Sequence, residues 1–124
     1  MIDFKNASFL KLMKAPNSVF EDNIRPMFVQ DEEIIQSFRS VRDGVVFTNK
    51  RIMAINVQGV TGKKRDFTSL PYSKIQAFSV ETAGVLDLDS ELELWFSGMG
   101  KVKFEFTSGS NISAICKMIS EKVL

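Results

Sequence analysis

Few residues here have the type and spacing that chemistry demands. The 124-residue chain contains no histidine, which removes His-based triads and His metal ligands. Its one cysteine, Cys116, rules out an intrachain disulfide framework and a cysteine-rich metal site. Nothing near it in sequence would lower its pKa, so an inert thiol is expected there. Gly59-Val60-Thr61-Gly62-Lys63-Lys64 has the outline of a phosphate loop. Only two residues separate its glycines, where that loop has four, and no Ser or Thr follows the lysine. It reads as a β-turn with a basic tip. Asp87, Asp89 and Glu91 have the alternation of a calcium loop, but Leu92 stands where that loop needs Gly and Gly98 where it needs a bidentate Glu. These acids are then expected to cap a loop or to pair with Lys or Arg. Ser97-Gly98 lacks the leading Gly of a nucleophile elbow. The expectation is a non-enzyme with no catalytic, cofactor-binding or metal site and no cofactor.

Charge is more informative by position than by sum. The net charge is +1, which gives no bulk argument for nucleic acid or membrane. Yet Arg39, Arg42, Lys50, Arg51, Lys63, Lys64 and Arg65 face Asp43 alone over one stretch. Glu81, Asp87, Asp89, Glu91 and Glu93 follow with no base among them. Such runs form solvated faces, or else a basic patch that meets phosphate or the acidic surface of another copy. Trp95 falls on the polar side of its strand, between Glu93 and Ser97. An indole there needs cover, and Trp is enriched at interface hot spots. A subunit contact is favoured over packing beneath the chain's own N-terminal segment.

The elements that must position these residues follow from periodicity. The length suits one domain, residues 1–124, and no apolar run approaches the roughly 20 residues of a membrane helix. The N-terminus does not read as a secretory signal, and the single cysteine fits a cytoplasmic setting. Residues 1–30 form a helical segment in this reading. Phe9, Leu12 and Met13 predict a short helical turn within residues 2–15. Ser18 with Glu21 predicts a capping box, and Phe20, Ile24 and Phe28 would face the core from a helix broken near Pro26. Residues 34–107 read as a barrel of seven strands: 34–41, 45–47, 51–57, 65–70, 74–82, 91–97 and 101–107. Ile34 and Phe38 are expected on one face. Asp43-Gly44 is expected as a turn in which glycine supplies a positive φ. The third of these strands is apolar on both faces. Ile112, Ile115, Cys116, Ile119 and Val123 predict an amphipathic capping helix over 111–123.

The motif series Arg42-Asp43, Phe47-Thr48-Asn49-Lys50-Arg51, Gln58 to Lys64, Ser69 to Ile75, Phe78 to Gly84, Asp87 to Leu92 and Trp95 to Gly98 resembles the bacterial pleckstrin-homology (PH) domain family. The resemblance covers nearly the whole chain. It implies a mainly β, PH-like seven-stranded barrel or orthogonal sandwich, capped by a C-terminal α-helix. It also implies a ring-shaped homo-oligomer, a pentamer, with no established catalytic activity and no known physiological ligand. Eukaryotic relatives often bind inositol phospholipids through spaced Lys and Arg in the first hairpin. Arg39, Arg42 and Lys50 place charge nearby, but the Lys-led motif is absent. The expected function is therefore a cytoplasmic, self-associating binding or scaffold module. Its partners would be itself and another protein, not nucleic acid, with Trp95, Glu81, Asp87, Asp89, Glu91 and Glu93 at the interface. The alternative is peripheral binding to anionic lipid headgroups through the basic patch.

Overall fold

The computed structural model describes residues 1–6 and 9–124. In chain order it contains β1 (Phe9–Ala15), α1 (Glu21–Ile24), β2 (Ile34–Arg39), β3 (Gly44–Thr48), β4 (Arg51–Gln58), β5 (Lys64–Pro71), β6 (Ile75–Glu81), β7 (Ser90–Phe96), β8 (Gly100–Phe106) and α2 (Ile112–Val123). Short 3-10 turns at Arg25–Met27 and Tyr72–Lys74 follow α1 and β5. The seven strands expected from alternation are all present. The strands lie in the order β5-β4-β3-β2-β1-β8-β7-β6, so among the described residues β5 and β6 each keep one edge without a strand partner.

The eighth strand, β1, corrects the helical reading of residues 2–15; positions 7 and 8 of that reading lie outside the described residues. Lys11 has a φ of 56°, and the register slips between Phe9 and Leu12. Such a bulge adds one residue to the two-residue alternation, so Phe9 and Leu12 enter the core three apart and imitate a helical period. Met13 is exposed. The bulge also lets β1 change partners. Phe9 and Leu12 lie beside Phe104 and Phe106 of β8 in parallel, while Met13 to Ala15 pair antiparallel with β2. One bent strand thereby joins the four-stranded sheet β2–β5 to the three-stranded sheet β6–β8.

The main core fills the space between the sheets, with the rings of Phe38, Phe47, Phe104 and Phe106 fully buried. Phe38 meets Phe106 edge to face at 4.8 Å between ring centroids. α2 closes the gap between β6 and β7 and the Tyr72–Lys74 turn. Asn111 caps it, its side-chain oxygen accepting the Ala114 N–H at 3.3 Å. Ile112, Ile115 and Ile119 are buried beneath it, at about 2 kcal/mol each for apolar area removed from water. Cys116 is half-buried at the stripe's margin.

A second, smaller core lies on the opposite face of β3 and β4. There Phe20 and Ile24 cover Val46, Met53 and Ile55, with Phe28 and Ile34 packed alongside. This accounts for the apolar character of β4 on both faces and confirms the inward-facing positions of the N-terminal segment. Three local expectations change. Ser18 offers only its backbone carbonyl to Glu21, and α1 has no side-chain N-cap; the Glu21 carboxylate binds Arg25 instead. Ile34 and Phe38 face different cores, because the register shifts between Ile34 and Gln36. Gly44 starts β3 without a positive φ. A Cβ at Gly44 would lie 2.3 Å from the Phe20 ring, so close approach of that ring is what demands glycine.

Candidate functional site

Three groups of polar residues have to be separated: a buried knot, a basic end and an outer sheet face. The knot uses residues that look unremarkable in sequence. The Glu32 side chain is fully buried and binds Arg51 at 2.6 Å. It also accepts hydrogen bonds from the Arg51 Nε at 2.9 Å, the Thr48 hydroxyl at 2.7 Å and the Val29 N–H at 3.0 Å. Arg51 further donates to the Met27 carbonyl and the Ser69 hydroxyl. The Arg51 guanidinium, then Thr48 and Val29, hold the Glu32 carboxyl down to about 2. Tyr72 donates to the Thr48 carbonyl at 2.7 Å, and burial, with Glu32 nearby, pushes its phenol up. Among the described residues no buried side-chain nitrogen or oxygen of the knot lacks a partner, so the knot ties the segment before β2 to the β3–β4 turn. Arg51 is therefore not part of a basic surface, a correction to its expected place in that patch.

Strand register divides what remains of the patch. Arg39 pairs with Gly44, Gly44 with Ile55, and Gln58 with Lys64. Arg39, Arg42, Lys63, Lys64 and Arg65 thus gather at one end of the sheet. Lys50 sits in the β3–β4 turn at the other end and does not join them. Gly59 and Gly62 have φ values of 73° and 68°, so the glycine-rich stretch is the turn with a basic tip that its spacing indicates. Arg42 donates to the Gly59 carbonyl, linking the two hairpins. Val41 and Val60 are fully exposed at the two tips.

On the outer face of β6–β8, alternation brings Trp95 into a cross-strand row with Ala77 and Lys101. The next rows are Ser79, Glu93 and Lys103, then Glu81, Glu91 and Glu105. The expected acidic stripe is thus interleaved with lysines from β8. Glu93 lies 3.8 Å from Lys101 and Glu91 3.2 Å from Lys103, and Glu91 raises the Lys103 pKa. Asp89 pairs with Lys11, while the Asp87 carboxylate accepts the Asp89 N–H at 3.0 Å. These acids cap the loop and pair with lysines, as one of the two sequence readings has it. Glu81 and Asp87 remain exposed.

Trp95 is 49% exposed, the one exposed aromatic side chain among the described residues. It lines an open groove of about 660 Å³. Phe4, Lys5 and Leu10 of the N-terminal segment line it together with Met99, Lys101 and Lys103. Phe4, Lys5 and Leu10 flank the indole and leave it half-exposed among the described residues. Sequence reasoning named the indole but missed the groove. Lys101 was legible as its neighbour, since the Gly98-Met99-Gly100 turn, with φ values of 83° and 89° at its glycines, sets the register of β7 on β8. The contribution of Phe4, Lys5 and Leu10 was not legible, because the bulged strand reads as helix.

A two-sheet β fold closed by a C-terminal helix, with grooves on its surface, defines the class of PH-like modules, whose members are generally non-catalytic binding or scaffold domains. The chain belongs to the bacterial PH domain family, which it matches over residues 3–123. It is 41% identical over 102 residues to the uncharacterized protein YjqA of Bacillus subtilis, an alignment covering 81% of this chain and 82% of that one. Its fold is similar to a DUF1696 family protein with a pleckstrin-homology domain from Shewanella loihica PV-4, with a TM-score of 0.81 at 37% identity over 93% of this chain and 99% of that one. It is also similar to a pleckstrin-homology domain from Shewanella amazonensis SB2B, with a TM-score of 0.68 at 38% identity over 96% and 93% of the two chains. No helix among the described residues is long and apolar enough to cross a membrane.

Proposed function

We propose that this chain is a non-catalytic, self-associating scaffold module of the cytoplasm, assembled as a ring, five-membered by resemblance to its family, that presents a surface to a protein partner. The half-exposed indole of Trp95 carries the reading. It stands beside β6, whose outer edge has no strand partner among the described residues, and across from it on that strand is the small side chain of Ala77. An indole at that exposure gains by losing water, and an open edge gains by being covered. Glu81, Asp87, Asp89, Glu91 and Glu93 surround the same face and set the polarity of the contact. Light scattering and native mass spectrometry at micromolar concentration test this: a closed oligomer, stable from low to high salt, is expected. A monomer across that range would remove the ring.

A second reading has its own observation. The fully exposed Val41 and Val60 stand among Arg39, Arg42, Lys63, Lys64 and Arg65, an arrangement suited to an anionic lipid surface. Each basic residue contributes roughly 1 kcal/mol there, and salt weakens it. Co-sedimentation with phosphatidylserine vesicles at low salt tests it. Binding lost in Val60→Asp and Lys63→Glu supports the reading, and no binding of the parent chain eliminates it.

A further inference from the structure

The loop between β6 and β7 presents apolar side chains to water with no internal cover. Val85 and Leu86 are 94% and 99% exposed and Leu88 58%, a cluster that a solitary chain has no reason to display. The loop is nevertheless held in shape. The Gly84 N–H donates to the Asp87 carbonyl at 2.7 Å, and the Asp87 carboxylate accepts the Asp89 N–H at 3.0 Å. A projection ordered in this way loses little entropy on docking. It is also acidic: Glu81 and Asp87 are exposed, and no base falls from Glu81 to Asp89, while Asp89 is already paired with Lys11.

We propose that this loop, Gly84 to Asp89, docks in the Trp95 groove of a second copy of the chain. The inference rests on the self-association reading and gives it a contact. The groove is complementary in both respects. Trp95, Leu10 and Met99 in its lining offer apolar surface to aliphatic side chains, and Lys5 and Lys101 in the same lining can meet the acids, while Lys103 is already paired with Glu91 at 3.2 Å. Lys5 has no carboxylate within ion-pair distance among the described residues, and Lys101 has one only at 3.8 Å. About 660 Å³ is ample for two aliphatic side chains. The loop cannot fill the groove of its own chain. It precedes Ser90 at the start of β7, held there by the Lys11–Asp89 pair, and Trp95 stands five residues further along that strand, about 17 Å away. Each copy therefore gives a loop at one end and offers a groove at the other. That contact is head-to-tail, and repeated it closes a ring or grows a filament.

Trp95 is the only tryptophan in the chain, so its fluorescence reports the groove directly. Two variants divide the contact: Leu86→Asp spoils the loop and keeps the groove, and Trp95→Ala does the reverse. Each is checked for folding by circular dichroism. The parent chain should form an oligomer, its emission moving to shorter wavelength as concentration carries it through assembly. Each variant alone should need more than about tenfold higher concentration to associate. Mixed, they should form a one-to-one dimer through the single intact contact, and the emission of the Leu86→Asp partner should then move to shorter wavelength. If the parent assembles and Leu86→Asp assembles equally well, the docking is wrong while self-association stands. If the parent stays monomeric at every concentration, both are wrong. If phosphatidylserine vesicles move the emission and assembly does not, the groove serves a membrane and the docking is overturned.

Discussion

Two regions hold most of the polar and aromatic side chains that attract notice, and they use them in opposite ways. Around Glu32, Arg51, Thr48 and Tyr72, charges and hydroxyls are buried and answered inside the chain. Around Trp95, the indole is half in water and the lysines beside it, themselves exposed, pair with partly buried glutamates at 3.2 and 3.8 Å. The first arrangement is costly to disturb, because a buried charge that loses its partner keeps its desolvation cost. The second is cheap to disturb, because water already screens it. A charged side chain is free for a partner only where the fold has not already used it. That difference moves Arg51 from the basic patch into the scaffold.

The contrast can be broken in order of expected effect. Glu32→Gln should cost about 3 kcal/mol by leaving Arg51 without its anion. A drop of about 10 °C in the thermal midpoint should follow, with assembly of the folded protein retained. Acid should reproduce part of this loss. Glu32 is held at about 2, below its ordinary 4.5, so its contribution is present in full above pH 4.5 and disappears as pH falls through 2. Urea midpoints should decline across that window by roughly 2–3 kcal/mol of stability, and the decline should flatten in Glu32→Gln. Gly44→Ala should cost about 1–3 kcal/mol by forcing the Phe20 ring off β3, and Phe20→Leu in the same chain should recover part of it.

Smaller effects sharpen the comparison. The Ser37 hydroxyl is buried without a hydrogen-bond partner, the one such side-chain atom among the described residues. Ser37→Ala should therefore raise the urea midpoint, by about 0.5–1 kcal/mol. Lys101→Ala on the Trp95 face should change stability by no more than about 0.5 kcal/mol. A larger loss there would mean that this face, too, is structural.

Much of the architecture is legible in local pattern. Leu92, Leu94 and Phe96 alternate with Glu91, Glu93 and Trp95, and the structure places the first set inside and the second outside. Ile112, Ile115 and Ile119 mark the buried stripe of the last helix. Pattern misleads where a backbone irregularity changes the period, as at Lys11, or where a neighbour distant in sequence sets the requirement, as Phe20 does for Gly44. The site divides in the same way. Trp95 is identifiable as an outward indole from its strand alone. Its groove requires Phe4, Lys5 and Leu10 to arrive from the far end of the chain.

The amino-acid sequence by itself determined the seven strands from β2 to β8, the glycine turns at Gly59–Gly62 and Gly98–Gly100 and the closing helix, because hydrophobic period and turn chemistry act over a few residues. It also determined the absence of histidine and of paired cysteines. Only the tertiary structure decided which charges are consumed and which remain free. That depends on which chain segments meet, and Glu32 reaches Arg51 and β1 joins the two sheets through contacts that no local pattern encodes.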